Sequence, residues 1–196
     1  MLRWKIIDTS ICSMCQGNET QLHVFSNCSK YLDRYTWRHN SVLLTTLNKI
    51  SRSTCENVEI YADLENSNYP CTSDLFQQQR PDILVKIGDT VIVIELTVCF
   101  DTNTEKSRQY KENRYSALKD QLLIPCNNFE LLFVEFTTLG FISKSSYKPF
   151  NSFLKKLGIN QDRTVRKCME TAIRGTYFIF CRRNKPWQVS ELLNFY

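Results

Sequence analysis

The sequence predicts an α/β fold in which flanking helices cover both faces of a mixed sheet, preceded by a small cysteine-rich segment. Residues 80–97 have the turn and the apolar content of a buried β-hairpin. Segments with helical periodicity precede and follow this hairpin. Three cysteines and a histidine near the amino terminus have the spacing of a metal site.

The hairpin is organised around a Gly-Asp turn at residues 88–89, which pairs Ile87 with Thr90. This register places Asp82 directly opposite Glu95, with Cβ atoms roughly 4.5–5.5 Å apart. Two carboxylates at the end of a buried hairpin repel each other and are costly to desolvate. A divalent cation would offset both costs, although a register slip of one residue would turn the two acids to opposite faces.

The cysteine-rich segment has the spacing C-x2-C-x7-H-x4-C, formed by Cys12, Cys15, His23 and Cys28. Three thiolates and an imidazole form a tetrahedral ligand set that suits zinc. The alternative is that these are unrelated free cysteines. We therefore predict a CCHC zinc knuckle over residues 1–30 and a second domain over residues 31–196.

The remaining elements follow from periodicity and from residues that begin or end helices. After the hairpin, Thr102 and Glu105 form a capping-box pattern that would begin a helix, and Pro125 would end it. The other predicted elements are a helix over residues 31–50, strands over residues 58–62 and 129–136, basic helices over residues 145–157 and 161–173, and a last strand over residues 176–181.

Within the helix after the hairpin, Lys111, Tyr115, Leu118 and Leu122 share one stripe. A lysine at the end of an apolar stripe either extends its ammonium to water or directs it at a buried partner. Because the helix directly follows the hairpin and can pack over it, the second alternative places this ammonium beside the two carboxylates.

The composition is that of an ordinary globular protein with a net charge of +5. Residues 140–196 hold eleven basic and three acidic residues, which is compatible with a polyanionic partner and also with a solvated basic face. Residues 1–12 show no secretory signal, and no apolar run approaches the ~20 residues needed to cross a membrane. We expect an intracellular protein that is not secreted, in a reducing compartment that keeps its nine cysteines free.

The order helix, three strands, helix, strand resembles the core of the PD-(D/E)XK restriction-like nucleases. Pro81-Asp82 is similar to the PD of that family, and the Glu-Leu-Thr sequence at residues 95–97 occupies the place of its (D/E)XK. Thr97 stands where the family usually has lysine. In members with this change the lysine often lies on the following helix, in a place that Lys111 matches, with Arg114 as the alternative.

An ordered series covering nearly the whole chain resembles the C-terminal region of non-LTR retrotransposon proteins that carry a restriction-like endonuclease. The series consists of the CCHC knuckle, a YTWRHNSVL helix, RPD, ELT, a K-x-x-R-Y helix, GFISKSS and a basic R-x-x-x-W stretch. In those proteins the nuclease nicks target DNA, and the freed 3′ hydroxyl primes reverse transcription. No segment resembles the polymerase palm, so we expect a C-terminal piece, a remnant or a host-adopted copy.

The resemblance implies a nuclear, Mg²⁺-dependent DNA endonuclease. Asp82 and Glu95 would hold the metal, joined by the Thr97 backbone carbonyl or by waters. Lys111 would orient or deprotonate the attacking water, Tyr115 would position it, and Arg80 would hold a phosphate. The knuckle would bind DNA or RNA, or would fix the orientation of the first helix.

Further candidates for phosphate contact are Arg114 and, on the first helix, Arg38, for which a solvated helix face is the alternative. Two other functions stay open. The first is a non-catalytic, zinc-containing nucleic-acid-binding module that has kept the fold and lost cleavage. The second is an intracellular zinc protein that binds other proteins, in which the two hairpin acids would only be a solvated strand end.

Overall fold

Four strands form one mixed sheet in the order β1-β2-β3-β4. The computed structural model describes residues 10–187. The strands are β1 (Val58–Ala62), β2 (Ile83–Ile87), β3 (Thr90–Cys99) and β4 (Asn128–Thr137). The first three pair antiparallel in sequence order, and β4 lies parallel to β3. This architecture confirms the predicted α/β class.

The register of the central hairpin is the one that the sequence predicts. Ile87 pairs with Thr90 and Ile83 with Ile94, so the next position places Asp82 opposite Glu95. Gly88 has a φ of 54°, the left-handed conformation that glycine adopts without the steric cost of a Cβ atom. The two acids therefore lie at the end of the hairpin away from its turn.

Within residues 10–187, four α-helices accompany the sheet: α1 (Leu32–Ile50), α2 (Thr104–Arg114), α3 (Lys144–Lys156) and α4 (Gln161–Cys181). Apolar residues of α1, α3 and α4 pack on one face of the sheet and form its larger core. The opposite face packs against residues from the segments on either side of the hairpin, including Leu75, Phe76, Tyr115 and Leu118. Both faces of the hairpin are buried, as the apolar residues on both of its faces predict.

The helix after the hairpin is shorter than predicted. It begins after Asn103, whose side chain makes no capping hydrogen bond, and it ends at Arg114 rather than near Pro125. The predicted capping box is therefore wrong, because the residue at the N-cap position of the helix is Asn103 and not Thr102. None of the residues of α2 is buried, whereas Tyr115 and Leu118 in the turn that follows are buried. The helix ends where the following apolar residues, Tyr115 and Leu118, pack against the sheet.

The predicted last strand over residues 176–181 is also wrong, because α4 continues through this segment to Cys181. Ala172, Thr176 and Ile179 are buried at helical spacing, while Tyr177 between them is 69% exposed. Packing of one helical face against α1 thus overrides the strand propensity of the aromatic sequence TYFIFC. Within residues 10–187, no helix has the length and apolar character needed to cross a membrane.

Two arginines of α1 are buried between α1 and the end of α4. Arg38 is 1% exposed, donates to the Thr176 hydroxyl at 2.9 Å, and lies against Gly175. Arg34 donates to the carbonyl oxygens of Arg182 at 2.8 Å and Lys185 at 2.9 Å. The prediction that Arg38 contacts phosphate is therefore wrong for this structure, as is the alternative of a solvated face.

Candidate functional site

Each of the two hairpin carboxylates accepts a hydrogen bond from a backbone N–H group on the opposite side of the hairpin. Asp82 immediately precedes β2, and its backbone N–H donates to Glu95 Oε2 at 3.3 Å. The backbone N–H of Leu96 donates to Asp82 Oδ2 at 2.7 Å. The side chain of Glu95 is 2% exposed and that of Asp82 14%. Both carboxylates therefore sit in one largely buried site whose geometry follows from the strand register.

Lys111 extends from α2 into this site. Its ammonium donates a hydrogen bond to Glu95 Oε1, and its side chain is 22% exposed. Of the two predicted cations, Lys111 contacts the carboxylate, while the exposed Arg114 lies with its guanidinium 5.3 Å from the Tyr115 ring centroid. Lys111 is therefore the one of the two that reaches the acid site, and its catalytic role stays a prediction.

A histidine that sequence reasoning did not assign to the site completes it. The Nε2 atom of His39, on α1, lies 3.3 Å from Asp82 Oδ2 and 3.2 Å from the carbonyl oxygen of Leu96. Its Nδ1 atom lies 3.2 Å from Asn40 Oδ1. The sequence carries only a weak signal for this role, namely a histidine on the helix before the hairpin in a chain with only two histidines.

Burial and mutual charge shift the pKa values of this site. Burial raises the pKa of Glu95, the Asp82 charge adds to the rise, and Lys111 opposes it, with a result of about 7. Burial also opposes ionisation of Asp82, but the charge of His39 holds its pKa below the usual range. Burial lowers the pKa of His39, and the Asp82 carboxylate more than offsets this, raising it to about 9. Strongly shifted groups in one place are typical of functional sites.

The other predicted site residues lie around this centre. Tyr115 is 2% exposed, and its hydroxyl donates to the carbonyl oxygen of Arg80 at 3.4 Å. The Arg80 side chain is 61% exposed and pairs with Asp63 Oδ1 at 2.6 Å. The Lys111 ammonium lies 5.9 Å from the Tyr115 ring centroid. Tyr115 is therefore a buried neighbour of the lysine, and Arg80 lies at the rim.

Helix α2 is held over β4 by a polar network that the sequence did not reveal. Arg108 donates to Glu135 Oε2 at 2.8 Å and to the carbonyl oxygen of Phe133 at 3.0 Å. Glu135 is 1% exposed and also accepts hydrogen bonds from Ser143 at 2.8 Å and Ser146 at 2.5 Å. Because Lys111 follows Arg108 by three residues on the same helix, this network sets where the lysine can reach.

The four predicted zinc ligands lie together in the structure. The ligand atoms of Cys12, Cys15, His23 and Cys28 all lie within 4.8 Å of one another. The Sγ atoms of Cys12 and Cys28 are 4.0 Å apart, and Cys15 Sγ is 3.3 Å from His23 Nε2. Tetrahedral zinc with bonds of about 2.0–2.3 Å needs ligand atoms separated by roughly 3.3–3.8 Å. The cluster could hold a metal such as zinc.

The cysteine cluster packs against the end of α4. The hydroxyl of the buried Tyr31 donates to the carbonyl oxygen of Arg183, and the Arg183 side chain pairs with Glu19 at 2.7 Å. The ring centroids of Phe25 and Phe180 are 6.3 Å apart in an edge-to-face arrangement. Residues 10–30 therefore share a small core with α4. Residues 1–9, where no secretory signal is predicted, lie outside the described part, as do residues 188–196 at the end of the basic segment 140–196.

A cleft of about 410 Å³ lies at the opposite end of the sheet from the acid site. Its lining includes Ile87, Thr90 and Asn128, which flank the hairpin turn or lie beside it. None of the residues described above as site residues lines this cleft. This cleft is therefore separate from the acid site.

Comparisons with known proteins assign no family to the chain. No protein-family model matches it, and no curated protein shows significant sequence similarity. The resemblance to restriction-like nucleases stays a prediction, and a function has to be inferred from the positions of the side chains.

Proposed function

We propose that the chain is a divalent-metal-dependent DNA endonuclease that hydrolyses phosphodiester bonds, with Mg²⁺ as the metal. One observation carries this proposal: Asp82, Glu95 and Lys111 meet at one end of the sheet although they come from three different segments. Two acids and a lysine in one place supply metal ligands and a cation for the charge that develops at phosphorus.

The donor set fits a hard divalent cation. Mg²⁺ binds proteins through one or two carboxylates and keeps several waters, and Asp82 and Glu95 offer these carboxylates. The pKa of Glu95, raised to about 7 by burial and by the Asp82 charge, shows that two adjacent negative charges are costly here. A bound Mg²⁺ would stabilise both charges, polarise the scissile phosphate and lower the pKa of a bound water.

Each protein side chain has a defined part in this proposal. Lys111 donates to Glu95 in the structure, and with substrate present its ammonium would donate to the attacking water or to a phosphate oxygen. The Tyr115 ring, whose centroid lies 5.9 Å from the Lys111 ammonium, would help to position the lysine and the attacking water, and the Tyr115 hydroxyl donates to the Arg80 carbonyl oxygen at 3.4 Å. The exposed guanidinium of Arg80 would hold a neighbouring phosphate. The products would be a 5′ phosphate and a 3′ hydroxyl.

The cysteine cluster, loaded with zinc, would have a supporting part in this function. It packs against α4 next to the start of α1, the helix that delivers His39 to the acid site. Zinc there would fix α1 and could present the knuckle to DNA or RNA. The resemblance to retrotransposon proteins is the only support for the further proposal that the enzyme is nuclear and works with a reverse transcriptase domain.

The proposal is tested by plasmid nicking. The purified, zinc-loaded chain is incubated with supercoiled plasmid and Mg²⁺, beside Asp82→Ala, Lys111→Ala and the control Lys106→Ala, an exposed lysine on the same helix. We expect nicking by the wild type and the control and none above background by the two site variants. Equal nicking by all four proteins would overturn the assignment.

A second candidate function is a nucleic-acid-binding module without catalysis. The observation that favours it is that both acids already have cationic partners, His39 for Asp82 and Lys111 for Glu95, so the network is neutralised without a metal. Salt-dependent DNA binding by the wild type, with no Mg²⁺-dependent nicking at any metal concentration, would support this function instead.

A further inference from the structure

Three polar atoms from three segments converge on one point of the acid site. His39 Nε2 lies 3.3 Å from Asp82 Oδ2 and 3.2 Å from the carbonyl oxygen of Leu96. Both oxygens are acceptors, and His39 Nδ1 lies 3.2 Å from a third, Asn40 Oδ1. When Nδ1 donates its N–H to Asn40 and Nε2 gives up its proton, the Nε2 lone pair faces two other electron-rich atoms. Such a cluster is stabilised by a proton or by a metal cation placed among the three atoms.

We propose that His39 is a ligand of the catalytic cation through Nε2, together with Asp82 Oδ2 and the carbonyl oxygen of Leu96. This inference rests on the proposed function, because the cation concerned is the one that would cleave DNA. Ligands about 2.1 Å from an octahedral cation and at right angles to each other are about 3 Å apart. The separations of 3.2 and 3.3 Å observed around Nε2 are close to this value.

The surroundings hold these three donors in place. The backbone N–H of Leu96 donates to Asp82 Oδ2 at 2.7 Å, which fixes the orientation of the carboxylate. On α1, His39 follows Arg38, whose buried side chain packs on Gly175 and bonds to Thr176. The rotation of α1, and with it the direction of the imidazole, is therefore set by packing against α4.

An imidazole ligand changes the metal preference that carboxylates alone would give. Carboxylate, carbonyl and water ligands suit Mg²⁺, whereas a nitrogen ligand favours ions later in the first transition series. Mn²⁺ accepts both kinds of ligand and the same octahedral geometry. We therefore expect the site to bind Mn²⁺ at least about tenfold more tightly than Mg²⁺, and His39 to be the source of most of this preference.

The experiment uses Mn²⁺ as probe on the full, zinc-loaded chain. Pulsed electron paramagnetic resonance of bound Mn²⁺ detects the ¹⁴N coupling of a coordinated imidazole. The other histidine of the chain, His23, belongs to the cysteine cluster, so a coupling would identify His39. We expect the coupling in the wild type and in the control Asn48→Gln, an exposed residue of α1, and its loss in His39→Gln. Mn²⁺ affinity should fall about tenfold or more in His39→Gln, while Mg²⁺ affinity changes less.

The outcomes separate this inference from the proposed function. Mn²⁺ that binds in the wild type without a ¹⁴N coupling, and is lost in Asp82→Ala, would overturn His39 as a ligand and leave the metal site intact. Absence of any Mn²⁺ binding to the zinc-loaded wild type would overturn both. The wild-type spectrum decides the question by itself, so the test does not depend on His39→Gln being folded.

Discussion

The two candidate metal sites of this protein are built in opposite ways. The sulfur site takes all its ligands from one short segment, Cys12 to Cys28, and its four ligand atoms are already close together. The carboxylate site is assembled from α1, the hairpin and α2, which are far apart in sequence. A site whose ligands lie close together in sequence can be recognised from their spacing. A site assembled from distant segments can be recognised only if the fold is predicted correctly.

The surroundings of the two sites differ as well. The sulfur site packs against an apolar and aromatic cluster at the end of α4, which suits a structural role. The carboxylate site is covered by α2, none of whose residues is buried and whose contacts with the sheet include the ion pairs of Arg108 and Lys111. Polar contacts of this kind can exchange for contacts with a metal or a phosphate, as the proposed catalysis would require.

The largest effect should come from the lysine of the carboxylate site. Lys111→Ala removes the only α2 cation that contacts Glu95 in the described residues, and we expect the nicking rate to fall about 10²–10⁴-fold. Arg114→Ala, which removes a cation from the same helix without touching Glu95, should lower the rate less than about tenfold. Single-turnover nicking kinetics measure both. Equal losses in the two variants would show that the rate depends on the charge of α2 rather than on this contact.

Removal of metal from the sulfur site should affect stability rather than chemistry. A structural zinc contributes directly to folding, so chelation or Cys12→Ser should lower the melting temperature by about 10 °C or more. Cys126→Ser, which changes a cysteine outside the cluster, serves as the control. Thermal unfolding monitored by circular dichroism, with zinc content measured on the same samples, tests the prediction. An unchanged melting temperature in Cys12→Ser would contradict a structural metal site.

Packing between α1 and α4 supports both sites and can be disturbed at one glycine. A Cβ atom at position 175 would lie 2.7 Å from Arg38 Cγ, so Gly175→Ala should destabilise the fold by about 1–3 kcal/mol. The neighbouring exposed substitution Arg174→Ala should cost less than about 0.5 kcal/mol. Urea unfolding measures both free energies. Similar losses of unfolding free energy in the two variants would show that α1 and α4 accommodate the added methyl group without loss of stability.

The smallest predicted effect concerns the placement of α2. Arg108→Ala should lower the nicking rate about tenfold with little change in substrate affinity, because Lys111 loses its support. Amide hydrogen exchange should then rise across residues 104–114 and little elsewhere. Glu112→Gln, which removes only the long 3.8 Å contact with Arg108, is the matched control and should change neither quantity. A normal rate together with faster exchange would show that the position of α2 does not limit the reaction.

Local patterns predicted much of this molecule. The Gly-Asp turn determined the hairpin register and hence the pairing of Asp82 with Glu95, and cysteine spacing predicted the sulfur cluster. The limits of two helices were wrong because tertiary packing decided them. The apolar stripe after Arg114 reaches the sheet as a turn, and the aromatic end of α4 packs as a helix.

The features that the sequence did not predict are contacts between distant segments. His39 reaches Asp82 across 43 positions, and Arg108 reaches Glu135 across 27. Nothing in the local sequence around either residue distinguishes it from a polar residue on a solvated helix. Arg38 shows the reverse case, since its position on a basic helix suggested phosphate contact and its packing against Gly175 buries it.

The role proposed for Asp82 in metal-dependent cleavage of DNA is tested most directly by a single-turnover nicking assay with Asp82→Asn. The substitution keeps the shape of the side chain and removes the charge that would hold the metal. The proposed function predicts that the zinc-loaded wild type converts supercoiled plasmid to nicked circles, sealable by DNA ligase, only with a divalent cation, and that Asp82→Asn does not. Nicking at the same rate by both proteins, or by the wild type without any divalent cation, would contradict it.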